Sequence, residues 1–147
     1  MKFLEDLDLN KDFPCGSFLL SREEIIDFAS KYDPQPFHLN DEAARASFFE
    51  TICASGLHTQ GAAINLLVRS ITDVAVIAGH SLHEARFFVP VRPSIRYGVI
   101  ARWTETTHRD PLKGRAKITG EATLPDGTKV MSFGVTYVVK RRQALLF

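Results

Sequence analysis

The hydrophobic period of the sequence changes near residue 74, and this change restricts the fold more than any other feature. Apolar residues recur at helical spacing before it and at alternate positions after it. The alternation is clearest over residues 95–104 and 131–139, as expected for strands with one buried face. Pro125-Asp126-Gly127 separates two strand patterns, and Asp-Gly is a strong hairpin signal. The second half of the chain therefore predicts an antiparallel meander.

The first helix before residue 74 has clear predicted boundaries. Ser21 and Glu24 have the spacing of a capping box, in which the side chain of each residue satisfies the backbone amide of the other. Pro34 lacks an amide proton and disfavours helical backbone at Asp33, so we expect the helix to end near Tyr32. The segment from Asp33 to His38 is then a stiff turn that contains two prolines. The predicted apolar face of the helix consists of Ile25, Phe28, Ala29 and Tyr32.

Two more helices are predicted before the strands begin. Asn40 is placed to cap a short helix over residues 41–47, and an apolar connector follows it. The longest helical pattern opens at Ser55-Gly56, and small residues at 61–63 permit close packing. Its broad apolar face predicts a mostly buried helix. That face consists of Leu57, Ala62, Ala63, Leu66, Leu67 and Ile71.

These elements predict an α+β fold of the hotdog type, in which an antiparallel sheet wraps around a long central helix. The open edge of such a sheet needs a partner, so we expect a homodimer or a dimer of dimers. A chain of 147 residues is long enough for one core and not comfortably for two. Residues 1–147 are therefore predicted to form a single domain.

Composition and charge exclude several classes of protein. Hydrophobic residues make up 45% of the chain and charged residues 24%, as in a soluble globular domain rather than a disordered tail or a fibre. The formal net charge of +1 argues against a nucleic-acid partner. No apolar run approaches the ~18 residues of a spanning helix, so no membrane association is expected. Cys15 and Cys53 have no CxxC partner and fit the reducing cytoplasm better than a secreted scaffold.

Asp33 and His38 are the candidate catalytic pair, because they lie at the two ends of the turn that contains the prolines. A carboxylate and an imidazole that share one water can polarise it in one direction and return a proton in the other. Hydration and dehydration require this chemistry. The alternative is structural, since Asp before Pro is common in turns and a single His is usually packed or solvated.

The start of the long helix is a second candidate site. Unpaired amides and the positive end of the helix dipole favour negative charge there. Because Gly56 has no side chain, its amide is a candidate donor to a thioester oxygen that gains charge during reaction. The alternative is that Ser55 only caps the helix and Gly56 only permits close packing. His58, in the first turn, is a candidate for substrate contact, with a packed or capping histidine as the alternative.

No metal site is expected from the sequence. His80 and His83 have an HxxH spacing, but on a strand their side chains are predicted to project to opposite faces. No further ligands cluster with them, and Cys53 has no partner base in its own motif.

Three stretches of the chain resemble the MaoC-like dehydratases and (R)-specific enoyl-CoA hydratases. They are residues 32–40 (YDPQPFHLN), 54–59 (ASGLHT) and 87–93 (FFVPVRP). The resemblance implies a hotdog dimer with active sites near its interface. It also implies the reversible hydration of a trans-2-enoyl-CoA thioester to an (R)-3-hydroxyacyl thioester, a reaction of fatty acid metabolism. No cofactor is implied, since CoA is part of the substrate.

The resemblance also assigns residues. It implies that Asp33 and His38 are catalytic and that the Gly56 amide is the oxyanion donor. The neighbouring residues Gln35, Ser55 and His58 are assigned to substrate binding.

The chain departs from the family pattern at three places. Gln35 stands where these hydratases commonly have Asn, and Ser94-Ile95 follows Pro93 where many members have Gly-Asp. Ile64 stands near the position of a serine on the central helix of some hydratases. Two alternatives therefore stay open. One is a thioesterase in which Asp33 activates water for attack on the thioester carbon, and the other is a non-catalytic hotdog protein that binds acyl-CoA or pairs with another subunit.

Overall fold

The computed structural model describes residues 1–143, and the last four residues of the predicted domain lie outside the described residues. Single 3-10 turns occur at Leu4–Asp6 and Pro36–His38. The helices are α1 (Arg22–Tyr32), α2 (Asp41–Arg45) and α3 (Gly56–Ser70). The strands are β1 (Phe13–Leu19), β2 (Val76–Phe87), β3 (Arg96–Thr107), β4 (Lys113–Thr123) and β5 (Lys129–Lys140).

The five strands form one antiparallel sheet in the order β1-β3-β4-β5-β2. Strands β3, β4 and β5 are the predicted meander, and the turn between β4 and β5 lies at the Asp-Gly signal. Gly127 has a φ of +90°, a conformation that glycine adopts without a steric penalty. The Asp126 carboxylate accepts a hydrogen bond from the Thr128 amide at 2.9 Å. This α+β arrangement of sheet and helix is the hotdog fold that the sequence predicts.

The core lies between the sheet and α3. Buried side chains alternate along β3, as a period of two requires, whereas almost all of β5 is buried. From α3, Ala63 and Leu67 enter this core and are fully buried. Helix α1 starts at the predicted capping box, where the Glu24 amide donates to Ser21 Oγ at 3.1 Å. Asn40 caps α2 by accepting a hydrogen bond from the Ala43 amide at 2.7 Å.

The prediction that α3 is mostly buried is wrong for this chain. Only Thr59, Ala63 and Leu67 are buried among the residues of α3, and Leu57 from its predicted apolar face is 56% exposed. The reason is that the sheet covers one face of the helix and leaves the opposite face open. Tyr32, predicted to lie on the buried face of α1, is likewise 66% exposed.

The edge strands differ from the pattern in the sequence. Strand β1 was not evident there, because Pro14 and a bulge next to Gly16, whose φ is +97°, interrupt its alternation. Strand β2 pairs with β5 on one side and lies at the end of the strand order. Almost all of its side chains are partly or fully exposed. No helix in the described part of the chain is long and apolar enough to cross a membrane.

Candidate active site

The turn after α1 brings Asp33 and His38 together. The Asp33 amide closes the helix on the Ala29 carbonyl at 2.9 Å, and the His38 amide donates to the Gln35 carbonyl at 2.9 Å. These bonds, together with the fixed φ angles of the two prolines, fold the segment back on itself. As a result His38 Nε2 lies 3.6 Å from Asp33 Oδ2. The turn therefore brings the carboxylate and the imidazole together, and contacts from residues 53–55 hold both side chains in place.

His38 is buried and has a fixed tautomer. Its Nδ1 atom lies 2.6 Å from the Cys53 carbonyl oxygen. A carbonyl oxygen can only accept, so Nδ1 carries the hydrogen. In the neutral ring Nε2 is then an unprotonated acceptor, and it is the atom that faces Asp33. The side chain is 7% exposed, so bulk water has little access to it.

This tautomer determines what the pair can do chemically. Nε2 of neutral His38 and the ionised Asp33 carboxylate are both acceptors, so they do not bond to each other directly. A water molecule that donates one hydrogen to each of them satisfies both groups. Such a water is polarised by two bases and is placed for general acid–base chemistry.

Ser55 links this pair to the start of α3. Its hydroxyl donates to Asp33 Oδ2 at 2.6 Å, and it accepts a hydrogen bond from the Leu57 amide at 3.2 Å. The residue is fully buried. Ser55 therefore caps the helix, one of the two roles that its sequence position allowed, and it also binds the carboxylate. No local pattern indicates this second contact, because the two residues are 22 positions apart.

Gly56 is the first residue of α3, so its amide has no acceptor inside the helix. The ring of Phe87 packs closely against it. A Cβ atom at position 56 would lie 2.8 Å from Phe87 Cζ, closer than Cβ contacts normally come. A side chain at position 56 therefore fits only if this ring moves.

An apolar cavity of about 330 Å³ opens beside these groups. His38 and Gly56 both line it. Asp33 does not line the cavity itself. Its carboxylate lies next to the cavity through His38, whose Nε2 atom is 3.6 Å from Asp33 Oδ2. Aromatic side chains dominate the wall, which suits an apolar chain rather than a charged ligand. The remaining lining residues are Phe37, Phe48, Phe49, Cys53, Ala54, Thr59, Phe87, Phe88, Val89, Pro90 and Val91.

None of the three residues assigned to substrate binding, Gln35, Ser55 and His58, lines this cavity. The His58 ring stacks on Phe28 with centroids 4.5 Å apart, and its buried Nδ1 atom has no hydrogen-bond partner among residues 1–143. Burial lowers the pKa of His58, and the nearby Glu24 partly opposes this effect. Gln35 is exposed and contributes to the turn through its backbone. The structure therefore does not bring the side chains of His58 and Gln35 to the cavity.

The solvent face of the sheet carries a larger, open depression of about 600 Å³. Most of its charged residues are paired on the surface, as shown by Arg102 with Asp12 at 2.6 Å and by Glu121 with Lys129 at 2.9 Å. This pattern is typical of a solvated sheet face rather than of a reactive site.

The two histidines of the HxxH spacing line a smaller depression on the sheet. His80 lies at a bulge of β2 between Gly79 and Ser81, and His83 Nε2 contacts Thr136 Oγ1. Within residues 1–143, no group of three or more His, Cys, Asp or Glu side chains is arranged to hold a metal ion.

Comparison with known proteins gives three consistent similarities. Residues 8–123 match the family model of the MaoC-like domain. The structure is similar to that of the MaoC-like dehydratase from Rhodospirillum rubrum, with a TM-score of 0.86 and 31% identity over 98% of this chain and 100% of the other. It also shares its fold with the (R)-hydratase from A. caviae involved in PHA biosynthesis. That match has a TM-score of 0.73 and 18% identity, over 94% of this chain and 99% of the other.

A sequence relative is the uncharacterized protein YdeM from Bacillus subtilis, which is 30% identical over 91 residues. The match covers 61% of this chain and 64% of YdeM, so it spans less than two thirds of that relative.

Proposed function

Since the chain belongs to the MaoC-like domain family, we propose that it is a hydratase and dehydratase of enoyl-CoA thioesters. In the hydration direction it adds water to a trans-2-enoyl thioester and yields an (R)-3-hydroxyacyl thioester. The observation that carries this proposal is the 3.6 Å approach of Asp33 Oδ2 to His38 Nε2. The pair lies next to an apolar cavity that the Gly56 backbone also lines.

The proposed reaction needs one water and one shared proton. The water donates to Asp33 and to His38 Nε2, and its oxygen attacks C3 of the enoyl group. The pair accepts one proton from that water and returns it to C2, so hydroxyl and hydrogen are both added and no atom is left over. The proposal includes no cofactor, because this exchange is complete with water alone.

The Gly56 amide is the proposed donor to the thioester oxygen. That oxygen gains negative charge as C2 becomes enolate-like, and a free amide at a helix N-terminus stabilises such charge. General acid–base catalysis contributes typically 10²–10⁴ in rate, and one oxyanion donor about 10²–10³. These two effects are large enough to make removal of either group easy to detect.

The test is an assay of trans-2-enoyl-CoA substrates of short, long and branched acyl chains. Loss of the conjugated enoyl absorbance without release of free thiol supports hydration. Asp33→Asn and His38→Ala are expected to lower kcat by about 10²–10⁴. The matched control is Asp27→Asn, which removes an exposed carboxylate of α1 that pairs with Lys31. Near-wild-type turnover in Asp33→Asn and His38→Ala contradicts the assignment of the pair.

The same assay distinguishes the two alternatives. Release of free thiol from the thioester identifies a thioesterase, in which Asp33 activates water for attack on the thioester carbon. Binding of acyl-CoA without turnover of any chain identifies a protein that only binds the ligand. Either outcome contradicts the proposed hydratase.

The proposed assembly is a homodimer, with a dimer of dimers as its larger form. Among residues 1–143, no strand pairs with the outer side of β2, and the exposed apolar residues of β2 include Ile77 at 49% and Leu82 at 65% exposure. A second copy would cover these side chains and the open face of α3. Light scattering is expected to give twice the mass of one chain, or four times that mass for the dimer of dimers, and Leu82→Lys is expected to reduce the mass. Leu112→Lys, at a residue with 58% exposure outside the strands, is the control.

A cytoplasmic location is part of the same proposal. Cys15 and Cys53 are both free and buried, and burial raises the pKa of each thiol. Unpaired, protonated cysteines fit a reducing compartment.

A further inference from the structure

We propose that Ser55 is a positioning residue that holds the Asp33 carboxylate in place for reaction with the water shared with His38. This inference rests on the proposed hydratase function and adds a role that differs from substrate binding. Among residues 1–143, the Ser55 hydroxyl is the only group that donates a hydrogen bond to the Asp33 carboxylate. The following contacts carry the proposal.

The direction of the bond between Ser55 and Asp33 is fixed by its surroundings. The Leu57 amide donates to Ser55 Oγ, so this oxygen serves as an acceptor on the helix side. The hydroxyl has one hydrogen, and the structure directs it to Asp33 Oδ2 at 2.6 Å. Because Ser55 is fully buried, no solvent competes for that hydrogen. A short bond between a hydroxyl and a carboxylate is among the stronger hydrogen bonds in proteins.

Helix α3 holds Ser55 itself in place. The Ser55 carbonyl accepts hydrogen bonds from the Thr59 amide at 3.0 Å and from Thr59 Oγ1 at 3.2 Å. Thr59 is also buried. Ser55 immediately precedes Gly56, so the same helical turn positions the carboxylate and the proposed oxyanion donor. The two parts of the site are therefore linked through one rigid segment.

Helix capping alone does not require the contact with Asp33. A cap needs only an acceptor for an amide of the first turn, and Asn40 supplies one to α2 in this chain. Ser55 uses its acceptor side for the same purpose and still has its hydrogen for Asp33. If Ser55 only capped α3, loss of its hydroxyl would affect stability without a specific effect on turnover.

The Ser55→Gly variant separates the two roles. Glycine is tolerated at a helix N-cap at a cost of only a few tenths of a kcal/mol, but it has no hydroxyl to donate. We expect kcat to fall about 10- to 100-fold while KM changes little, because the ionised carboxylate loses its donor. Ser55→Thr keeps the hydroxyl and is expected to recover most of kcat. Asn40→Gly, which removes the side-chain cap of α2, is the control and is expected to keep wild-type kcat.

A second measurement does not depend on turnover. The carboxyl ¹³C resonance of Asp33, assigned by its loss in Asp33→Asn, is expected to shift in Ser55→Gly and to stay in place in Asn40→Gly. An unchanged resonance, or wild-type kcat in Ser55→Gly, overturns the inference. If the resonance shifts but the wild-type chain hydrates no enoyl thioester, the contact is real and the proposed function has failed.

Discussion

Gly56→Ala tests how the start of α3 is used. The new Cβ would lie 2.8, 2.9 and 3.2 Å from three ring atoms of Phe87, whereas ordinary contacts begin near 3.4 Å. The ring must therefore retreat by at least about 0.6 Å. Phe87 lies at the end of β2 and is 52% exposed, so it can move outward.

The expected effect on stability is small. Overpacking typically costs about 1–3 kcal/mol, and a half-exposed ring belongs at the low end of that range. Replacing glycine by alanine in a helix stabilises the folded state by up to about 1 kcal/mol, which offsets this cost. The free energy of unfolding of Gly56→Ala is therefore expected to stay within about 1 kcal/mol of that of the wild type, which can be measured by urea denaturation.

The expected effect on turnover is large. The methyl group is added at the wall of the cavity beside the Gly56 amide, so we expect it to hinder the approach of the thioester oxygen. We expect kcat/KM for enoyl-CoA hydration to fall about 100-fold, the range associated with one oxyanion donor. Adding Phe87→Ala to Gly56→Ala removes the ring and is expected to raise kcat/KM about tenfold above that of Gly56→Ala. A double-mutant cycle measures this recovery as a coupling between positions 56 and 87. Wild-type kcat/KM in Gly56→Ala would refute the proposed use of this amide.

Three further predictions concern stability. Because burial keeps His58 neutral in the folded chain and lowers its pKa, the unfolded chain takes up the proton first as the pH falls below about 6.5. The free energy of unfolding should therefore decrease from pH 7.5 to pH 5.5, and His58→Leu should make that decrease smaller in urea titrations. Leu67→Ala empties a fully buried position of α3 and should cost about 2–5 kcal/mol, against a change near zero for exposed Leu112→Ala. Gly120→Ala places a methyl group against the buried ring of Phe133 and should lower the melting temperature, at a cost of about 1–3 kcal/mol.

The parts of the fold that depend on local sequence were predictable. The capping box of Ser21 and Glu24 and the alternation in β3 act over a few residues, and the structure shows them where the sequence predicts. Strand β5 also forms where predicted, but almost all of its residues are buried rather than every second one. Strand β1 was missed because a proline and a bulge remove the alternation that identifies strands. The exposure of Leu57 was missed because apolar spacing shows that a helix has an apolar face, but not what covers it.

In the site, too, local contacts were predictable from the sequence and contacts between distant elements were not. Asp33 and His38 lie at the two ends of one short turn, so the local sequence was enough to predict that they are neighbours. The bond from Ser55 to Asp33 joins two elements far apart in the sequence, and only the packing of α3 against that turn creates it. The position of His58 against Phe28 likewise depends on how α1 meets α3, which no local pattern specifies.

The most direct test of the account follows one time course of the chain with a trans-2-enoyl-CoA and determines the configuration of the product. The account predicts an (R)-3-hydroxyacyl-CoA with the thioester intact, formed by the wild-type chain and by Asp27→Asn but at least about 100 times more slowly by Asp33→Asn. Formation of the (S) product, release of free CoA, or equal rates in the wild type and Asp33→Asn would contradict it.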